Sequence, residues 1–201
     1  MTTILNIKSS SNLQGSVSRQ IGAVAVEKLK AQNPDAKVIE RDLVKTSIPH
    51  VSPQFLGAMF SSNEDAAGLL LSNQLIDELF ASDIIVLEAP MYNLSIPSVL
   101  KAWVDHVARA GKTFRYTPTG PEGFLKGKQV ILVLGSGGIY SDGPMKAMEH
   151  QESYLRTFLA FLGITDIEVI RIEGVALGPD KAAAALAQAK QQAGLLTRHA
   201  A

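Results

Sequence analysis

Two rhythms of apolar positions alternate along this chain. Short runs rich in β-branched residues read as strands: TILNIK (3–8), KVIERD (37–42), DIIVLEA (83–89), QVILVLG (129–135) and DIEVIRI (166–172). Between them, residues 18–31, 66–81, 97–109, 145–162 and 181–196 place apolar side chains three and four apart, the spacing of one helix face. In IIVL and VILVL the apolar residues are continuous, as in strands covered on both sides. The pattern predicts an α/β fold: a five-stranded parallel sheet, doubly wound, with helices on both faces. Ser18 is expected to cap the first helix and Pro34 to stop it, while Pro97 and Pro144 suit helix starts.

Two stretches break the rhythm. Residues 43–65 are mostly polar but hold Pro49, Pro53 and an apolar patch, FLGAMF. Residues 110–127, AGKTFRYTPTGPEGFLKG, form a long Gly/Pro-rich excursion carrying Phe114, Tyr116 and Phe124. Connections of this length are often functional.

Composition narrows the classes. The 201 residues suit a single domain, residues 1–201, and 46% hydrophobic against 19% charged residues supports a sizeable core. Lys plus Arg equals Asp plus Glu, 19 against 19, so no overall field draws nucleic acid or an anionic membrane, and neither is expected as a partner. The apolar runs are far shorter than the roughly 18 residues of a membrane span. MTTILNIK lacks the basic region and apolar stretch of a signal peptide, so a cytoplasmic location is expected. With no cysteine, disulfides, thiolate catalysis and Cys-bound metal centres are excluded. His50, His106, His150 and His199 show no metal-ligand spacing, and no metal is expected. Asp105 and His106 point apart on a helix and read as surface positions.

Ligands of open α/β sheets bind beyond the carboxyl ends of the strands, where strand order reverses. Three loops end there: SSSNLQGSVSR (9–19), PMYNLS (90–95) and GSGGIYSDGP (135–144). The first precedes a helix, whose free amides and positive dipole end attract phosphate, and Ser10, Ser16 and Ser18 add hydroxyls. It holds only Gly15, not the G-x-G-x-x-G of a dinucleotide loop, so it suits a terminal monophosphate or a solvated, serine-capped turn. Tyr92 and Asn93 offer a ring face and an amide to a ligand edge, or merely pack and turn the chain. Gly137 and Gly138 permit either close backbone approach or a positive-φ turn. Together, a phosphate cradle and two loops for a planar ring describe a flavin mononucleotide site.

The strings KSS…SVSRQ, APMYNLSIPSVLKAWVDHVARAGKTFRYTPTGPEG, GSGGIYSDGP and HQESYLRTFLAFLGI resemble the FMN-dependent NADH-azoreductase family, flavodoxin-like in fold and related to the quinone reductases. The resemblance runs from the first strand to the fifth. It implies that Ser10, Ser16, Val17 and Ser18 hold the phosphate of a noncovalent FMN. It places Met91, Tyr92, Asn93 and Leu94 along one side of the ring system, and Gly135, Ser136, Gly137 and Gly138 along another. No side chain is implied as a catalytic residue; backbone near Gly137 and Gly138 stabilises the reduced flavin. NADH or NADPH is the implied electron donor, quinones and azo compounds the acceptors, and turnover ping-pong. A homodimer is implied, with Tyr116 and Phe161 flanking the acceptor. By its stripe with Tyr154 and Phe158, Phe161 equally reads as core. Some family members carry Gln and Phe where this chain has Val17 and Leu94; the first change is harmless if position 17 acts through its backbone amide, and the second bears on ring packing and acceptor preference.

Other chemistries fit worse. Leu134 stands two residues before Ser136, so the G-x-S-x-G elbow of a serine hydrolase is missing. Gly127-Lys128 is followed by Gln129 and leads into a strand, unlike a P-loop. A phosphoesterase built on Ser9, Ser10 and Ser11 lacks a neighbouring base. The alternative from another class is a flavodoxin-type electron carrier, though such carriers are usually strongly acidic.

Overall fold

The computed structural model describes residues 1–61 and 67–198. Five parallel strands form one sheet in the order β2-β1-β3-β6-β7. They are β1 (Thr3–Lys8), β2 (Lys37–Asp42), β3 (Ile84–Pro90), β6 (Gln129–Gly135) and β7 (Asp166–Ile172). The two strands with continuous apolar runs, β3 and β6, are central and buried nearly throughout. The more polar β2 and β7 take the edges, where one side of each strand stays wet.

Helices cover both faces. Between the sheet and α1 (Val17–Gln32) with α6 (Pro179–Leu195) lies one core, including Ile4, Ile21, Leu29, Val86, Val133 and Ala189. The opposite core packs Leu5, Leu75, Leu87, Trp103, Leu132 and Phe158 under α3 (Leu70–Ala81), α4 (Ser98–Val107) and α5 (Glu152–Phe161). In α4 the periodicity is direct: Leu100, Trp103, Val104 and Val107 face inward, while Lys101 pairs outward with Asp105 four residues on, at 2.6 Å. Strand order reverses between β1 and β3, which opens a crevice at their carboxyl ends.

Local chemistry moves several boundaries. Ser16, not Ser18, caps α1: its Oγ accepts from the Arg19 amide at 3.3 Å. The helix read across 145–162 is broken. A 3-10 turn, Gly143–Met148, comes first, and α5 starts afresh at Glu152 because the Glu149 carboxylate accepts from the amides of Gln151, Glu152 and Ser153. The patch FLGAMF lies largely in a short helix, α2 (Pro53–Met59), capped by Ser52. Its Phe55 is buried and Phe60, just beyond, is 85% exposed. The excursion 110–127 is an antiparallel hairpin, β4 (Phe114–Thr117) and β5 (Gly120–Gly123). The helix expected over 66–81 is seen as a 3-10 turn, Ala67–Leu69, running into α3; Ala66 and His199 lie outside the described residues.

His106 also departs from expectation. It is buried, not on the surface: its ring stacks on Phe55 at 4.5 Å and its Nδ1–H donates to the Ala102 carbonyl at 3.0 Å. Covering by α2, distant in sequence, is what hides it. Among the described residues no helix is long and apolar enough to cross a membrane.

Candidate active site

The loop between β1 and α1 is tied down at both ends. Ser9 donates through its amide (3.2 Å) and its hydroxyl (2.7 Å) to the Glu88 carbonyl on β3. Asn12 Oδ1 accepts from the Gly15 amide at 2.7 Å, closing a small turn. Ser16 and Ser18 share a hydroxyl hydrogen bond of 3.0 Å. Ser10, Ser16 and Ser18 are all buried, and the Val17 and Ser18 amides, in the first helical turn, have no intrahelical carbonyl to meet. The nearest cation is already committed. The Arg19 guanidinium grips Asp42 at 2.7 and 3.0 Å and donates to the Ser10 carbonyl, which sets the loop's shape. That hydrogen bond holds the Asp42 carboxyl below its usual range and raises Arg19. An anion here would be met by hydroxyls, amides and the helix dipole.

The loop after β3 is strained. Tyr92 and Ser95 exchange backbone hydrogen bonds of 2.9 and 3.2 Å, and the two residues between them, Asn93 (φ 49) and Leu94 (φ 73), are both left-handed. Two consecutive positive φ values make a type I′-like turn; for a leucine that conformation costs about 1 kcal/mol or more. The surroundings hold it: the His150 amide donates to the Leu94 carbonyl, and the Tyr92 hydroxyl accepts from the Ser11 amide at 3.1 Å.

The third loop is clamped to the segment after β7. Ser136 Oγ and the Gly174 amide both donate to the Gly138 carbonyl, and the Ala176 amide donates to that of Gly137. Neither Gly137 nor Gly138 has positive φ, so their glycine character answers to space. A Cβ on Gly138 would meet the Tyr140 ring at 3.1 Å, and one on Gly135 would meet Val17 at 3.0 Å, where α1 begins against the sheet.

The three loops enclose a cleft of about 220 Å³. Ser10, Gly15, Ser16, Val17, Met91, Tyr92, Gly135, Ser136 and Gly137 line it, with Asn12, Pro90 and Val175, to which the sequence assigned no role. Only the Asn12–Gly15 turn left a local signal, an Asn three residues before a Gly. Ser18 sits behind the wall, while Asn93, Leu94 and Gly138 shape the loops without lining the cleft. The residues fit FMN: buried hydroxyls around a free helix start for a phosphate, and Pro90, Met91 and glycine backbone for a flat ring. A model of proteins with a flavodoxin-like fold matches residues 2–196. The chain belongs to that family.

Relatives within it are close. A protein of Francisella philomiragia named FMN-dependent NADH:quinone oxidoreductase is 50% identical over 192 residues, 96% of this chain and 97% of that one. One of the same name from Herminiimonas arsenicoxydans is 49% identical, covering 94% and 95%. Among solved structures, an azoreductase from Bacillus anthracis str. Sterne superposes with a TM-score of 0.86 at 31% identity, over 98% of this chain and all of that one. An FMN-dependent NADH-azoreductase from Bacillus anthracis str. Ames Ancestor, solved in complex with FMN, reaches 0.82 at 25% identity over 96% and 98%.

Tyr116 and Phe161 do not reach the cleft within one chain. They meet at a common ring, Phe114, with centroid distances of 5.4 and 4.3 Å. Phe161 is half-buried against the core, as its stripe suggested, whereas Tyr116 is 75% exposed. A second, larger cleft of about 460 Å³ adjoins the first, sharing Met91 and Ser136. Among the described residues no three His, Asp or Glu side chains are grouped to hold a metal ion.

Proposed function

We propose that this protein is a cytoplasmic FMN-dependent NADH:quinone oxidoreductase that also reduces azo compounds, working as a homodimer. The observation that carries the reading is the cleft formed by the three loops at the switch between β1 and β3, with serine hydroxyls and the α1 start at one end and Met91 at the other. Close relatives bearing that enzyme name support it. When bound, FMN supplies the two-electron relay between nicotinamide and acceptor. Ser10, Ser16 and the first amides of α1 hold the phosphate without a paired cation. Met91, Tyr92 and the 135–137 backbone would confine the ring, and the Gly137 amide would favour negative charge on it. Asn93, Leu94 and Gly138 act by fixing loop shape.

Donor and acceptor both need the exposed ring face, so each occupies it in turn and kinetics are ping-pong. Complete cleavage of an azo bond to two amines takes four electrons, hence two NADH. In this reading Tyr116, exposed on its hairpin, flanks the acceptor across a subunit boundary together with Phe161, both rings packing on Phe114. The deciding experiment measures NADH oxidation with a quinone and no protein partner, at several fixed acceptor concentrations. Parallel double-reciprocal lines and released FMN in mass spectrometry are expected. No turnover without a protein partner would mark an electron carrier instead, and intersecting lines would end the shared-face mechanism.

A further inference from the structure

The larger cleft holds three cations, Lys146, Arg156 and Arg171, and three carboxylates, Glu149, Glu152 and Glu173. The carboxylates are already used inside the protein. Glu149 takes the first amides of α5, at 2.6 Å from Gln151 and 2.5 Å from Glu152. Glu173 takes the amides of Tyr140 and Ser141 at 2.7 and 2.9 Å. Glu152 is held from two sides, by Arg156 Nε at 2.8 Å and by Arg171 through two nitrogens at 2.7 Å each.

The cations are not used up in the same way. Arg156 engages Glu152 through Nε, which leaves its terminal nitrogens as donors, and its side chain is 44% exposed. The Lys146 ammonium forms no hydrogen bond or ion pair with a described residue. Glu152 therefore fixes two guanidinium groups in place, and Lys146 comes from a separate segment of the wall. Fixed donors lose little freedom on meeting an anion, and charge-assisted bonds to an oxo-group are the strong kind.

Because this cleft shares Met91 and Ser136 with the cofactor cleft, a ligand lying at that boundary extends into the basic wall. We propose that Lys146, Arg156 and Arg171 form a subsite for an anionic oxo-group, sulfonate, carboxylate or phosphate, on the molecule that exchanges electrons at the neighbouring cleft. The electron-exchange part rests on the oxidoreductase reading; the anion-binding part does not. A sulfonated or carboxylated aromatic acceptor and the phosphates of a dinucleotide donor offer the same chemistry.

The test compares anthraquinone-2-sulfonate with neutral 2-(hydroxymethyl)anthraquinone on the flavin-loaded protein, by equilibrium titration without NADH and then by initial rates. The perturbation is Lys146→Gln with Arg156→Gln, two exposed positions outside the core. If acceptors use the subsite, the double variant loses about tenfold in affinity for the sulfonate and less than twofold for the neutral quinone. If the donor uses it, the KM for NADH with the neutral quinone rises by about tenfold instead. Either result supports the subsite, and changes below twofold in both arms overturn it. A wild-type protein that binds the sulfonate through these residues but oxidises no NADH would retain the anion site and sink the oxidoreductase reading alone.

Discussion

Glu88 stands near the carboxyl end of central strand β3, on the face covered by α1, with no exposure at all. Neither carboxylate oxygen has a hydrogen-bond partner among the described residues. Lys8, its register neighbour on β1, is drawn away to Glu40 at 2.7 Å. Burial pushes the Glu88 carboxyl up to about 8, with Lys8, Asn6 and Arg19 pulling the other way and Glu40 adding to the rise. At neutral pH the native protein thus keeps a proton here that the unfolded chain, with an ordinary value of 4.5, has lost. Where the native state binds more protons, stability falls as pH rises. The loss runs across the window from 4.5 to about 8 and levels off above it. At about 1.4 kcal/mol per pH unit, that interval comes to about 5 kcal/mol, comparable to the whole stability of a small domain.

Glu88→Gln preserves shape and never ionises, so it removes this slope. Urea unfolding of both proteins at pH 5 and pH 9 is the assay. Other titrating groups act alike in the two proteins, so the variant should lose less stability than wild type between these conditions, by about 4 kcal/mol. Parallel losses would refute the argument and mean that Glu88 is ionised and solvated in the native state. The neutral form also matters to the cleft: Glu88 carries Ser9 on its carbonyl, and a charge beneath α1 would oppose an anion at the helix start.

Two further outcomes follow from the same region. Gly22 of α1 packs on that carboxyl, where an added Cβ would lie 2.3 Å from it; Gly22→Ala should therefore destabilise by about 1–3 kcal/mol in thermal or urea unfolding, yet stabilise by up to about 1 kcal/mol in a Glu88→Ala background. Ser16→Asp retains a good N-cap, so melting temperature should hold, while the carboxylate facing the cradle should weaken flavin by tenfold or more in a fluorescence titration; unchanged affinity would move the cradle elsewhere.

The parallel sheet was legible because its central strands are continuous in apolar residues and its helices are amphipathic. The serines that line the cleft, Ser10 and Ser16, were legible by position, following the first strand. What escaped was short or depended on distant partners. The hairpin β4–β5 hid in a Gly/Pro-rich stretch because its strands have four residues each, too few to set a period. The break before α5 was masked because Met145, Met148 and Leu155 continue a helical spacing; only the Glu149 carboxylate, turning back on three amides, shows where the new helix starts.

The larger cleft illustrates the limit most sharply. Arg171 ends a strand and Glu152 begins a helix 19 residues earlier, while Glu173 reaches 33 residues back to the Tyr140 amide. No local pattern announces such pairs: the first is made only when α5 comes against β7, the second when the loop after β6 meets the end of β7. Glu88 is the opposite case. It shares the two-residue alternation of Ile84 and Val86, which places it on the α1 face of a strand buried throughout, and Gly22 is the position on α1 that leaves it room. A carboxyl in register with that core face, and a glycine where the covering helix crosses it, belong to one packing decision, so altering both must cost less than the two single changes added together.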